Sequence, residues 1–478
     1  MPGGESEEAE RVEELKRKYS ISYEHAGKTI STGTTVYPSV YRREQIEELE
    51  KAQLKINRMI WRISNDRELL EKMGIGELVI EGEKIEIKSE SDRMYQTLEK
   101  IRRNRKDKRK ITAVFVRSDY IENLQEELKQ VEMNTISCSF VLTGANVNRM
   151  HSELLEDREY RKRAEEVVGE KIGKLLISKS TEKFFNFIRI THAEYEKTER
   201  TKDSVVVILD CDTTPESKNY LEKAEIADAI EKSGIKSRYL SVSEFLKGYS
   251  IRNGSVLYYK DEEVAVVYYR WLYNADQYTE EIIKMRTDIE STCAVSIPNV
   301  EVQIAGLKIF QKFLCRGSFL EKYAGDKDLL KYFVQFLSVS EYSETKPAKE
   351  YVLKTLKEGG GNNFFGKDVE RKLSEMPAEE EQEYFLMEKI EGKTRRNRAF
   401  NREPGDTIGE VGIFGYCVMS RSDNGTDRES EEIENAEAGY ILRTKYRDSN
   451  EVGVSAGFGY LDSIAYRCDA MGGTSGVE

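Results

Sequence analysis

Histidine is nearly missing: His25, His151 and His192 are the only three in 478 residues. H-E-x-x-H does not occur, and the G-x-S-x-G string Gly453 to Gly457 lacks the apolar strand before it and the helix after it that a nucleophile elbow needs, so zinc-dependent and serine-nucleophile hydrolysis find no support. The six cysteines (Cys138, Cys211, Cys293, Cys315, Cys417, Cys468) are dispersed and lack C-x-x-C spacing. Such spacing argues for reduced thiols in a cytosolic protein, not for a disulfide framework or a zinc site. No run of about 18 apolar residues is present, so no transmembrane helix is expected. Met1–Lys18 alternates acids and bases without an apolar core, unlike a secretory signal, and its glutamates disfavour a mitochondrial presequence. Positive charge is also short, with 75 Lys and Arg against 87 Asp and Glu for a net charge of −12. That balance disfavours a broad nucleic-acid or membrane-surface role. The basic stretch 100–110 runs against the trend. It reads as a solvated helix end before a strand, the other reading being a nucleic-acid patch. Chemistry is left to Lys, Arg, Glu and Asn, which suits phosphoryl or acyl-phosphate transfer.

Hydrophobic residues make up 38% and charged residues 34%, as in a soluble enzyme of two or three lobes. Residues 1–19 read as a solvated helix. Ile46, Leu49, Ile56, Ile60 and Ile63 follow a helical period, and 93–103 reads as a second helix. Ile111–Val116 reads as a buried strand and Gln130–Ile136 as another. Residues 152–200 are mostly helical. An α/β unit opens at Val205–Leu209, continues through a helix near Leu221–Lys232, and adds a hairpin of Ser255–Lys260 with Val264–Arg270. Residues 307–340 return to helix. Later strands are Tyr351–Lys354, Tyr384–Ile390, Ile408–Cys417 and Gly439–Lys445. The polar, acidic stretch 420–437 reads as a flexible surface loop.

Two segments carry chemistry. The strand ending at Lys354 runs into Glu358-Gly359-Gly360-Gly361-Asn362-Asn363. Glycines let backbone N–H groups approach phosphate oxygens, and a lysine and a carboxylate beside them can neutralise phosphate and hold Mg²⁺. It is neither a Walker A loop nor a dinucleotide fingerprint, and alone it could be a plain flexible hairpin. In Val131–Ser139, Glu132 and Asn134 project from one face of a strand, a pairing that suits either a hard cation or a polar edge.

In order and interval, R-S-D-Y at 117–120, E-x-N-T-I-S-x-S at 132–139, the Tyr268-Tyr269-Arg270 element with Tyr273, I-A-G-x-K ending at Lys308, K-x-x-x-E-G-G-G-N-N, L-M-E-K-I, E-V-G-I-F-G and L-R-T-K resemble the eukaryotic glutathione synthetase family. The resemblance runs from about Ser22 to Asp462. It implies an α+β ATP-grasp fold with an inserted α/β substrate-binding domain. The inserted domain would be 202–306, the ATP-binding body 20–201 with 307–478, and 1–19 a solvated segment. It implies ATP-dependent joining of γ-glutamylcysteine to glycine through an acyl phosphate, releasing ADP and phosphate. Glu132, Asn134 and Glu358 would hold two Mg²⁺ ions. Lys308 and Lys354 would contact phosphates beneath Gly359 to Asn363, with Phe365 near the nucleotide. Met387, Glu388, Lys389 and Ile390 would bracket adenine, with Glu410, Lys445 and Glu451 nearby. Arg117, Ile136, Ser137, Cys138, Ser139, Asn219, Lys223, Arg270 and Tyr273 would hold the dipeptide. Arg443, Val454 and Ser455 would close over the substrates, and Arg117, Lys354 and Arg443 would act on the reacting groups. A cytoplasmic homodimer without nucleic-acid or membrane partners is implied as well.

Several positions depart from that pattern. The family's F-G-G-L after SxS is here Phe140-Val141-Leu142-Thr143-Gly144. The Asp-Gly after Arg270 is Trp271-Leu272, bulky enough to narrow the dipeptide site. Pro-Gln-Arg before Glu358 is Thr355-Leu356-Lys357, and the Asp-Gln pair after Asn219 is Glu222-Lys223. The stretch before Gly439 is acidic and long. Alternatives are another ATP-grasp carboxylate–amine ligase, such as one using β-alanine, or an inactive homologue acting as a binding scaffold.

Overall fold

The run Ile111–Val116 is apolar on both of its alternating faces, and in the computed structural model it opens the central strand Ile111–Glu122, which is covered on both sides. The structure describes residues 2–74, 78–80, 83–85, 92–104, 110–199, 201–215, 217–342, 346–356, 362–421 and 430–468. On one side Val114 and Val116 pack against the helix Arg43–Asn65, whose Ile46, Leu49, Ile56, Ile60 and Ile63 are buried as their spacing predicts. On the other, Phe115 stacks with Phe187 and Phe414 and meets Phe184 edge to face, beneath the helices Val141–Leu154 and Ser180–Glu199.

The central strand belongs to an antiparallel sheet ordered Tyr460–Asp462, Ser430–Tyr446, Gly405–Arg421, Ile111–Glu122 and Leu128–Asn134, with Arg395–Asn397 added to the Gly405 strand. A second sheet is parallel across Lys236–Ser241, Val205–Asp210, Glu262–Tyr269 and Val295–Ile297. Its far edge turns antiparallel through Val256–Tyr259 and Tyr249–Arg252. A small antiparallel sheet orders Phe336–Ser338, Tyr384–Glu388 and Tyr351–Thr355. The architecture is α+β.

Four expectations are corrected. The helix Pro2–Lys18 is not simply solvated: Val12 and Leu15 are in the core, and buried Glu8 meets Tyr37, Arg163 and Arg398. The hairpin of 255–270 pairs at only two positions, Tyr258 with Glu263 and Tyr259 with Glu262, before its second arm joins the parallel strands. The last part of 307–340 is not helix, because Phe336–Ser338 pairs with the Tyr384 strand. Residues 430–437 are strand, paired with Gly415–Arg421, because the partner strand is long enough to carry the acidic stretch at its edge. Residues 422–429, 105–109 of the basic stretch and 357–361 of the glycine loop lie outside the described residues.

Candidate active site

Along one face of the central strand the row Ala113, Phe115 gives way to Arg117 and Asp119. Register carries the change across the sheet. Arg117 opposes Asn134 and Phe414, Asp119 opposes Glu132 and Gly412, and Glu410 opposes Arg443. Period-two alternation therefore puts Arg117, Asp119, Glu132, Asn134, Glu410 and Arg443 on one face. Gly412 makes the arrangement possible. A Cβ there would stand 2.6 Å from the Asp119 Oδ1 and 3.0 Å from the Arg117 Cδ.

Asp119, fully buried, organises the cations. Arg117 donates to it twice, Nε to Oδ1 at 2.7 Å and Nη2 to Oδ2 at 2.8 Å. Arg443 reaches Oδ2 at 2.7 Å and also pairs with Glu410, and Asn134 Nδ2 donates to Oδ2 at 3.0 Å. Oxygen atoms of Asp119, Glu132 and Glu410 lie within 4.8 Å of one another. Such crowding is tolerable only with cations beside it. Burial alone would raise the Glu132 carboxyl, yet Lys354, Lys308, Arg443 and Arg117 hold it down at about 2. Glu410 goes the other way: burial raises it, Arg443 opposes, and Asp119 and Glu132 add to the rise.

Lys354 donates to the Val131 carbonyl at 2.7 Å, tying the end of the small sheet to the Glu132 strand. Lys308 opens the helix Lys308–Leu314 and is buried. The glycine before it is needed, since a Cβ on Gly306 would fall 2.1 Å from the Thr135 Oγ1. On the Tyr384–Glu388 strand Met387 is buried and Glu388 half-buried, with Lys389 exposed and Ile390 half-buried just beyond it. Lys445 donates to the Asn450 carbonyl at 2.6 Å; burial lowers its pKa, Glu410 and Glu451 oppose, and Lys389 adds to the fall.

Beside this face opens a chamber of about 700 Å³. Its wall includes Arg117, Ile136, Ser137, Cys138, Ser139, Asn219, Lys223, Arg270, Tyr273, Arg443, Val454 and Ser455, so the residues expected around the dipeptide and acceptor converge from distant parts of the chain. Of the expected nucleotide-binding set, Asn362 borders it and Asn363 and Phe365 follow. Glu358, Gly359, Gly360 and Gly361 fall outside the described residues. Cys138 is wall rather than nucleophile: burial pushes its thiol up to about 11, and Sγ donates to the Asn134 carbonyl at 3.1 Å.

The far end of the chamber lies at the carboxyl ends of the parallel strands, where open α/β sheets generally place ligands. Arg270 donates to the Cys138 carbonyl at 2.7 Å and to Ser139 Oγ at 3.0 Å. Glu222 accepts from the backbone N–H groups of Phe140, Leu142 and Thr143 and from Asn219 Nδ2, and lies 3.6 Å from Arg270. It thus serves the N-terminus of the helix Val141–Leu154. Lys223 pairs with Asp210. Trp271 lines the chamber, while Leu272 is fully buried in the core.

Sequence reasoning missed Asp119, Asp210, Glu222 as a cap, and Gly412. The signal for Asp119 was available, since it stands two residues from Arg117 on one strand. Asp210 ends the apolar run Val205–Leu209, but its partners lie on other elements.

A family model described as eukaryotic glutathione synthase, ATP binding domain, matches residues 15–466. The chain is 28% identical to the glutathione synthetase large chain of Schizosaccharomyces pombe, over 93% of each chain. It is 30% identical to the glutathione synthetase of Dictyostelium discoideum over 90% of each, and 29% identical to that of Xenopus laevis over 73% of each. Among solved structures it is similar to a glutathione synthetase-like effector from Globodera pallida in apo form, with TM-score 0.72 over 96% of both chains at 19% identity.

Proposed function

Because the chain belongs to the eukaryotic glutathione synthase family, we propose that it is an ATP-dependent ligase that joins γ-glutamylcysteine to glycine, making glutathione. The observation that carries the reading is the chamber: residues from Arg117 to Ser455 line one cavity against the cation-flanked carboxylate face. The fold is read as ATP-grasp, with 202–306 as a substrate-binding domain inserted into the body formed by 20–201 and 307–478.

A carboxylate is a poor electrophile, so the cysteinyl carboxylate takes the ATP γ-phosphoryl group and becomes an acyl phosphate, leaving ADP. The glycine amine then attacks the acyl carbon and phosphate departs. No protein nucleophile is required, in keeping with the protonated Cys138. The protein positions and neutralises. Arg117 and Arg443, both aimed by Asp119, stand where negative charge develops. Lys308 and Lys354 flank the carboxylate of Glu132, where phosphate oxygens would lie. Glu132 and Asn134 offer a hard-oxygen donor set and fit Mg²⁺, with Glu358 as the third ligand expected. Asp119 does not fit that role, since two guanidinium groups already engage its oxygens. Two such ions would neutralise the ATP phosphates. Met387 to Ile390 would bracket adenine, with Glu410, Lys445 and Glu451 nearby.

A cytoplasmic homodimer acting on small molecules completes the proposal. The free cysteines support a reducing compartment, and among the described residues no helix is long and apolar enough to cross a membrane. The test is phosphate release from ATP with each of γ-glutamylcysteine, glycine and Mg²⁺ omitted in turn. Full release is expected only with all three. Release independent of γ-glutamylcysteine, or none at all, overturns the reading.

A further inference from the structure

Lys223 replaces an uncharged amide of the resembled family, and the structure supplies what that ammonium faces. Its Nζ pairs with the Asp210 Oδ2, and both side chains are buried. Asp210 also accepts from Tyr239 OH at 3.0 Å and from the Cys211 N–H at 2.9 Å. An ionised carboxylate has about four acceptor sites and an ammonium three donors. The Cys211 thiol also hydrogen-bonds Asp210, and because a thiol is a weak donor that fourth acceptor site can be taken by a charged one, while Lys223 keeps two donors beyond the bond named here. Both groups line the chamber. Arg270 stands next to Asp210 at the ends of paired parallel strands, its N–H bonded to the Leu209 carbonyl at 2.8 Å. The Nε of Arg270 is buried without a partner among the described residues.

Charge decides what can sit there. Glu222 faces Arg270, Asp210 faces Lys223, and Asp212 and Lys218 on the same wall cancel in charge, so this end of the chamber is neutral overall and strongly dipolar. A net anion drawn to Lys223 and Arg270 would offer no donor to Asp210, and a net cation drawn to Asp210 would offer no acceptor to Lys223 and Arg270. A group carrying one ammonium and one carboxylate matches both. Resting on the glutathione synthetase reading, we propose that Asp210 is a specificity residue. It accepts the α-ammonium of the substrate's γ-glutamyl head, while Lys223 and Arg270 take the α-carboxylate. The chamber then demands an acyl substrate headed by a free α-amino acid.

The test compares γ-glutamylcysteine with N-glutarylcysteine, the same molecule without the α-ammonium. Binding by calorimetry and kcat/KM from phosphate release are both measured. The wild type should favour γ-glutamylcysteine by at least about tenfold, the scale of one charge-assisted hydrogen bond at a buried site. Asp210→Asn should bring the ratio close to one with the KM for ATP unchanged. Because that variant strands a buried ammonium, Asp210→Asn/Lys223→Gln replaces the ion pair with two amides and should also lose the preference while folding normally. A double variant that keeps the wild-type ratio, or a shift confined to the KM for glycine, overturns the assignment. So does a wild type that accepts both acyl substrates equally, and that outcome leaves the ligase reading standing. A wild type that binds γ-glutamylcysteine selectively yet releases no phosphate overturns the ligase reading and leaves the Asp210 site standing.

Discussion

The two ends of the chamber are built from different materials. At the main-sheet end Arg117, Asp119, Glu132, Glu410 and Arg443 sit on strands whose register fixes them to one another. At the other end Ser137, Asn219, Lys223, Arg270 and Trp271 sit on loops or on the first turn of a helix. Ser137, Phe140, Asn219 and Leu272 there take left-handed backbone, with φ of 53°, 69°, 58° and 71°. A leucine in that region is strained by about 1–2 kcal/mol, which the surrounding packing must hold in place. Strand-borne charges suit chemistry that is the same for every substrate. Charges on loops and helix ends, such as Lys223 against the strand-end Asp210, can be exchanged without disturbing the sheet.

The largest effect should come from the strand-borne end. Glu132→Gln removes the carboxylate that four cations hold ionised, and turnover should fall about a thousandfold, roughly 4 kcal/mol in barrier. Phosphate release at saturating substrates and a titration of γ-glutamylcysteine binding test it together. Binding should persist while turnover is lost. Near-normal turnover would show that the two ends do not divide labour in this way.

Acid should separate the main sheet from the parallel one. His151 is buried, its ring nitrogens 2.9 Å from Ser463 Oγ and 3.1 Å from the Thr35 carbonyl, joining a helix to both chain ends. Burial lowers its pKa to about 4 from 6.5, with the backbone bonds opposing. The folded state thus binds fewer protons than the unfolded chain between those values. Its contribution is whole above pH 6.5 and is lost as pH falls through the window to about 4. The loss is about 3 kcal/mol. The stability lost in urea unfolding between pH 7 and pH 4.5 should be smaller in His151→Gln than in the wild type by most of that amount, since the buried Asp462, raised to about 6, shifts both proteins alike. Equal pH dependence in both would assign the acid sensitivity elsewhere.

Gly412→Ala tests how rigid the strand-borne end is. The new Cβ meets the Asp119 carboxylate and Ile441 at 2.6 and 2.7 Å, so a cost of about 1–3 kcal/mol in stability is expected, as for overpacking. Misaimed arginines should lower kcat more than they raise the KM for γ-glutamylcysteine. An unchanged kcat would mean that the arginines follow the strand without loss.

At the strand-borne end spacing alone gave Glu132 with its neighbour Asn134, while Arg117, Glu410 and Arg443 came from the family resemblance and Asp119 was missed. Glu132 with Asn134, and the buried run from Ile111, declare their faces through alternation, and the Ile46–Ile63 stripe declares its helix. The α+β class came with the resemblance, and those elements agree with it. The acidic stretch 430–437 was misread because its strand character depends on a long partner rather than on its own composition. Glu222 and Asp210 were silent for a related reason. A carboxylate's partner on another element leaves no local pattern, and the departures at Glu222-Lys223 pointed to a change without its counter-charge.

The smallest effect concerns the acceptor, which meets both ends of the chamber. Val454 and Ser455 lie in the short turn Val454–Ala456 and reach the cavity wall together with Gly453 and Ala456. The small side chains of Ser455 and Ala456 would let the backbone press close over an acceptor and leave it little spare volume. Arg443 lines the same cavity, and its Nε is buried without a partner among the described residues, although its Nη2 is held by Asp119 and Glu410. A guanidinium aimed in this way can take a substrate carboxylate at a fixed distance. β-Alanine is one methylene longer than glycine, so the same grip would carry its amine past the acyl carbon. One methylene is worth about 1–3 kcal/mol of discrimination, so glycine should be preferred about tenfold or more in kcat/KM. Ser455→Gly adds room without moving Arg443, and should narrow that preference. Equal kcat/KM for the two acceptors in the wild type, at saturating ATP and γ-glutamylcysteine, would sink the glycine assignment and favour a β-alanine ligase.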